Sequence, residues 1–156
     1  MLLLPAAGLF NSIGILIPGV LLYWIASDFD IHNWKHGLKL FFTWILFVLV
    51  LLVMTTVTKR LFNRNRPKVY GVTRMCNLRK TETNKSMPSG DTAQATLYAC
   101  FLVAHLHVHW SVLFIIPLVA FARVFYHCHW IGDTMAGALC GVLSLILSVF
   151  FQWAIN

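Results

Sequence analysis

Charge is what this chain has least of. Only 11% of its 156 residues are Asp, Glu, Lys or Arg, against 59% hydrophobic, and mean hydropathy is +0.75. A soluble globular domain is nearer half apolar and about a quarter charged, so composition excludes that class. Acids are scarcer still, five against twelve Lys and Arg, for a net charge of +7. The four cysteines (Cys76, Cys100, Cys128, Cys140) show no CxxC spacing and two lie in apolar runs, which argues against a disulfide framework. The start has no positive n-region of a cleaved signal peptide, so the first apolar run is read as a mature span. No internal repeat is present. The length suits one domain, 1–156, and no soluble appendage, because about five spans of ~20 residues plus loops use it all.

What is there is a succession of apolar runs. The first extends from about Leu2 to Ala26, broken by Pro5, Gly8, Gly14, Pro18 and Gly19. A second runs from about Leu38 to Thr58. A third starts just after Ser89 and fades in the His105–His109 stretch, a fourth covers Trp110 to Tyr126, and a fifth begins near Gly132. The expected architecture is all-α: a multi-spanning transmembrane helical bundle of about five spans. Gly137, Gly141 and Ser144 form a small-residue stripe suited to close helix packing. Trp110, Tyr126, Trp130 and Trp153 near span ends suit interfacial anchoring. Counting crossings puts the end of span two, the start of span three, the end of span four and the start of span five on one face.

Nine of the twelve basic residues lie between Lys59 and Lys85, with Glu82 the only acid among them. A basic block beside spans marks a cytoplasmic side, binds anionic headgroups of membrane lipids, or serves an anionic substrate; nothing here suggests a nucleic-acid partner. Headgroup snorkelling accounts for Arg60, Arg64, Lys68, Arg74, Arg79, Lys80 and Lys85. Lys59 and Arg66, seven apart, share a face if the second span continues for two more turns, with Pro67 ending it. Arg123 stands alone among apolar residues at a span end and needs an anion. An Arg fork matches phosphate oxygens bidentately, and Lys acts as a point charge.

Pro88-Ser89-Gly90 opens a span. Ser is a favoured N-cap, a helix start presents free N–H groups, and Gly90 allows close approach, which together suit an anion. His129 and Asp133 stand at i and i+4, so a carboxylate can orient an imidazole and leave its other nitrogen to attack phosphorus. His105, His107 and His109 alternate on a helix and fall opposite this face, which disfavours a metal site. The set can hold and transfer a phosphoryl group without a metal.

These segments resemble the three motifs of the type 2 phosphatidic acid phosphatase superfamily, which also contains glucose-6-phosphatase and the vanadium haloperoxidases. Lys, six residues, Arg-Pro is met by Lys59, Arg66 and Pro67. Pro-Ser-Gly-His is met by Pro88, Ser89, Gly90 and, in place of His, Asp91. Ser-Arg, five residues, His, three residues, Asp is met by Arg123, His129 and Asp133, with Ala122 in place of Ser. The resemblance implies a membrane phosphatase without cofactor or metal, acting on a phosphorylated lipid. It implies that Lys59, Arg66, Ser89, Gly90 and Arg123 hold the phosphate and that His129 is the nucleophile, oriented by Asp133.

Asp91 departs from the family pattern, because a histidine there is thought to protonate the leaving group. An aspartate ringed by cations stays ionised and is a poor acid at neutral pH. Substrates with good leaving groups, such as polyprenyl diphosphates, gain weight in consequence, since the expelled phosphate monoester has a second pKa of about 6. His127 is the other candidate acid. Two further readings stand beside this one: a small-molecule phosphatase like glucose-6-phosphatase, and a lapsed lipid-phosphate-binding protein. The positive-inside rule puts the Lys59–Lys85 loop in the cytosol. The resemblance implies a lumenal or extracytoplasmic active-site face, and that is the expectation, since substrate binding explains part of the charge.

Overall fold

The computed structural model describes residues 19, 20, 23, 34–68 and 83–155, with the backbone alone at 36 and 151–155. Apart from Gly19, Val20 and Tyr23, the predicted first span lies outside them, as do Cys76 and the middle of the basic loop. The described residues are helical with no strand. We label the helices α1 (Trp34–Phe62), α2 (Gly90–Leu106), α3 (Ile115–Phe125) and α4 (Ile131–Ile155), with a 3₁₀ helix, Trp110–Phe114, before α3. Two segments, Gly37–Phe62 and Ile131–Phe150, are long and apolar enough to cross a bilayer.

Each boundary has a local cause. Lys59 and Arg60 occupy the last turn of α1, where cations suit the helix dipole. Asn63 then enters the left-handed region (φ 44°), and its N–H closes on the Lys59 carbonyl at 3.1 Å. Asn tolerates that conformation better than most residues. The helix therefore ends at Phe62, short of the two extra turns expected from sequence. Arg66 lies in the non-helical segment beyond, and no shared helical face joins it to Lys59.

The C-terminus of α2 turns at His107 (φ 50°), with the Val108 N–H bonded to the Leu102 carbonyl at 3.3 Å, a Schellman-type closure. The fourth predicted span is split. Pro117 cannot donate to the Leu113 carbonyl, and the chain runs as a 3₁₀ turn before α3 begins. After α3, His127 is left-handed (φ 55°), while the N–H groups of Cys128 and His129 both fold back to the Arg123 carbonyl, at 3.0 and 3.3 Å.

α2 is the central helix: from Asp91 to Leu102 every residue but Cys100 is buried. Trp44 and Phe47 of α1 meet Phe101 of α2 edge-to-face, with centroids 5.6 and 5.5 Å apart. Such pairs contribute about 0.5–1.5 kcal/mol each beyond area burial. On the other side α2 lies against α4 with backbones nearly touching. A Cβ at Gly137 would come within 2.4 Å of the Ser89 carbonyl, and one at Gly141 within 2.5 Å of the Ala93 carbonyl. Ser144 is buried and donates to the Phe47 carbonyl at 3.1 Å. The small-residue stripe thus serves helix packing. The outward faces carry Phe42, Leu49, Val53, Leu118, Phe121, Leu139 and Ile146, all exposed, as a lipid-facing surface requires.

Candidate active site

The C-terminal end of α1, the N-terminus of α2, the end of α3 and the start of α4 meet at one end of the bundle. Backbone ties fix the junction: the Ser89 N–H donates to the Asp133 carbonyl at 2.9 Å, and the Ser86 N–H to the Arg64 carbonyl at 2.9 Å. Between these ends lies a cavity of about 690 Å³. Lys59, Arg60, Arg66, Lys85, Gly90, Asp91, Gln94 and His129 contribute to its wall.

His129 is buried, and both ring nitrogens are engaged. Nε2 lies 3.1 Å from Arg66 Nη1, and Nδ1 lies 2.7 Å from the Ser86 carbonyl. A guanidinium only donates and a carbonyl only accepts. Nε2 therefore carries the lone pair and Nδ1 the proton, so the tautomer is fixed from both sides. His129 also contributes to the cavity wall, beside the Arg66 guanidinium that engages Nε2.

Arg66 is anchored by its other donors. Nε donates to the Asn84 carbonyl at 2.8 Å and Nη1 to the Cys128 carbonyl at 2.7 Å, while Nη2 bonds the Asn84 side-chain oxygen. The non-helical residues 63–65 connect this guanidinium to the end of α1.

Asp133 lies behind His129, fully buried. Its Oδ2 is 3.8 Å from His129 Nδ1, beyond hydrogen-bond range, although within ion-pair distance. That oxygen instead accepts from the Ser86 hydroxyl and, at 2.9 Å, from the Trp130 N–H; Oδ1 accepts from Arg64 Nη1 at 3.1 Å. Arg64 also lies over the Trp130 ring at 5.6 Å. Arg64, assigned to headgroups from sequence, is thus tied to the buried carboxylate. Arg60 and Lys85, assigned likewise, line the cavity.

Arg123 has its anion. Nη2 is 2.9 Å from Asp91 Oδ2, with side-chain exposures of 3% and 11%. Asp91 reaches the cavity wall, whereas Arg123 stands behind it. Gly90 also lines the cavity, with nothing within 4 Å of where a Cβ would stand. Ser89 is fully buried and off the wall: it caps α2, its hydroxyl accepting from the Thr92 N–H at 3.4 Å and meeting Thr92 Oγ1 at 3.0 Å. His127 does not line the cavity. Ser86, Asn84 and Arg64 carry no motif signature in the sequence, and each acts through contacts 18 or more residues away. His105 lies at the opposite end of α2, stacked on Phe101 at 4.4 Å.

A search of curated proteins found no match. Among solved structures, the chain is similar to a transmembrane PAP2 type phosphatidylglycerolphosphate phosphatase from Bacillus subtilis. The TM-score is 0.68 at 24% identity, covering 99% of this chain and 77% of that one. The model of the PAP2 superfamily matches residues 37–156, which span all three motifs. This membrane chain belongs to the PAP2 superfamily.

Proposed function

We propose that this protein is a metal-independent membrane phosphatase of lipid phosphates or diphosphates, acting through a phosphohistidine at His129. One observation carries the reading: His129 lines a cavity walled by Lys59, Arg60, Arg66 and Lys85, with Nε2 accepting from Arg66 Nη1 and the opposite nitrogen pinned as a donor. A phosphoryl oxygen entering there accepts the Arg66 N–H that now caps Nε2, and the lone pair is released to phosphorus. The N–P bond forms as the P–O bond to the leaving group breaks. Lys59, Arg66 and Gly90 take up the charge on the equatorial oxygens, while Arg123, expected from the sequence to hold the phosphate, stands behind the wall and holds Asp91. Water then cleaves the N–P bond, giving inorganic phosphate and restoring the imidazole. Ser89 serves this site by capping α2.

Polyprenyl diphosphate is the favoured substrate class. Asp91, bonded to Arg123 at 2.9 Å, is held as a carboxylate and is a poor proton donor to an alkoxide. The monophosphate expelled from a diphosphate needs no such donor. Arg60 and Lys85 add cationic wall beyond the family motifs, suited to a second phosphoryl group. Phosphate release from matched lipid monophosphates and diphosphates, with phosphatidylglycerolphosphate in the panel, tests the reading. Release from diphosphates, faster than from monophosphates at neutral pH and lost in His129→Ala, is expected. Release from none of the panel would leave the lapsed-site alternative standing.

A further inference from the structure

Asp133 stands at ion-pair distance from the imidazole it is expected to orient, without a short hydrogen bond to it. Its Oδ2 lies 3.8 Å from Nδ1, and the proton on Nδ1 goes to the Ser86 carbonyl at 2.7 Å. Ser86 is fully buried, and every polar group it owns is engaged. Its N–H bonds the Arg64 carbonyl, its carbonyl accepts from His129, and its hydroxyl donates to Asp133. Asp133 is held in turn by the Trp130 N–H and by Arg64.

We propose that Ser86 is a positioning residue through which Asp133 acts: the carboxylate grips the Ser86 hydroxyl, and the Ser86 carbonyl sets the tautomer and aim of His129. The inference rests on His129 being the nucleophile. The grip matters because the segment before α2 has no helical ladder of its own to hold that carbonyl in place. Loss of the hydroxyl leaves Asp133 with a missing donor and the carbonyl free to drift. An imidazole that loses its aim loses turnover, while the cations that bind phosphate are unchanged. Two side chains acting in series should also show non-additive losses.

The test measures kcat and KM for phosphate release from a lipid diphosphate by Ser86→Ala, Ser86→Cys, Asp133→Asn and Ser86→Ala/Asp133→Asn, with His129→Ala as control. Ser86→Ala is expected to lower kcat by about 10- to 100-fold, the worth of one charge-assisted hydrogen bond, with KM changed less than about threefold. Ser86→Cys keeps the volume and a weak donor, so its kcat should fall between those of Ala and wild type. The double variant should be no slower than the slower single one. Wild-type kcat in Ser86→Ala, or losses that multiply in the double variant, would overturn the relay. If Ser86→Ala does not fold, the kcat of Ser86→Cys decides alone: wild-type turnover counts against the relay and a selective fall in kcat supports it. Retained activity in His129→Ala is a different failure, that of the nucleophile assignment.

Discussion

Replacing Asp91 by Asn separates two roles that the structure gives to one carboxylate. The Asp91–Arg123 pair is 2.9 Å long, with side chains 11% and 3% exposed. Breaking a buried pair by removing one partner costs about 3–5 kcal/mol. Asn keeps an acceptor for the guanidinium, and a hydrogen bond to a charged group is worth about 1.5–3 kcal/mol. The anion-free protein should therefore lose about 2 kcal/mol of stability. Oxyanion binding should move the other way. A carboxylate on the cavity wall repels an oxyanion bound in that cavity by on the order of 2 kcal/mol at an effective dielectric near 20. Removing that repulsion tightens vanadate binding by about 30-fold. Thermal unfolding in detergent with and without vanadate, together with the vanadate inhibition constant, reads both effects. Asp91→Asn should melt lower than wild type alone and gain more from vanadate, while diphosphate cleavage stays largely intact. Unchanged stability and unchanged vanadate affinity would refute the reasoning.

Four further outcomes are expected. Asp133→Asn should leave a folded protein with a large loss of rate, seen as kcat falling at constant KM; an unaltered rate breaks the link between carboxylate and imidazole. Chelators should not inhibit and vanadate should, because Lys59, Arg60, Arg66 and Lys85 on the cavity wall can neutralise an oxyanion without a metal; EDTA inhibition reversed by a divalent ion counts against this. Gly137→Ala should destabilise by about 1–3 kcal/mol, since its Cβ would meet the Ser89 carbonyl at 2.4 Å, and a wild-type melting temperature would contradict that packing. Asp91→His should narrow the gap between diphosphate and monophosphate rates at neutral pH, by supplying an acid with an ordinary pKa near 6.5; an unchanged ratio removes leaving-group protonation as the cause of the preference.

Much of the site was legible in the sequence because its parts sit at span ends. Period and punctuation alone marked where the apolar runs stop. Crossing parity then brought Lys59, Gly90, Asp91 and His129 to one end of the bundle, where they line one cavity. The Gly137–Gly141 stripe was readable for a similar reason, as small residues at helical spacing have one main use among packed helices. Three features were not legible. The end of α1 at Phe62 depends on Asn63 turning left-handed, a choice that Pro67 four residues later does not reveal. Arg64 looks like any other cation of the basic block until the fold brings it 3.1 Å from a carboxylate 69 residues away. Spacing placed His129 and Asp133 on one helical face. Yet His129 precedes α4, and its ring turns to the Ser86 carbonyl, a backbone group that side-chain patterns never encode.

The central claim is that His129 takes the phosphoryl group onto Nε2. The most direct measurement is an alkaline quench of the purified protein turning over a lipid diphosphate labelled in its terminal phosphoryl group. A phosphoramidate survives alkali and is lost in acid, so the account predicts base-stable, acid-labile label on wild type and none on His129→Ala. Undiminished phosphate release by His129→Ala, with no label on the wild-type chain, would contradict it.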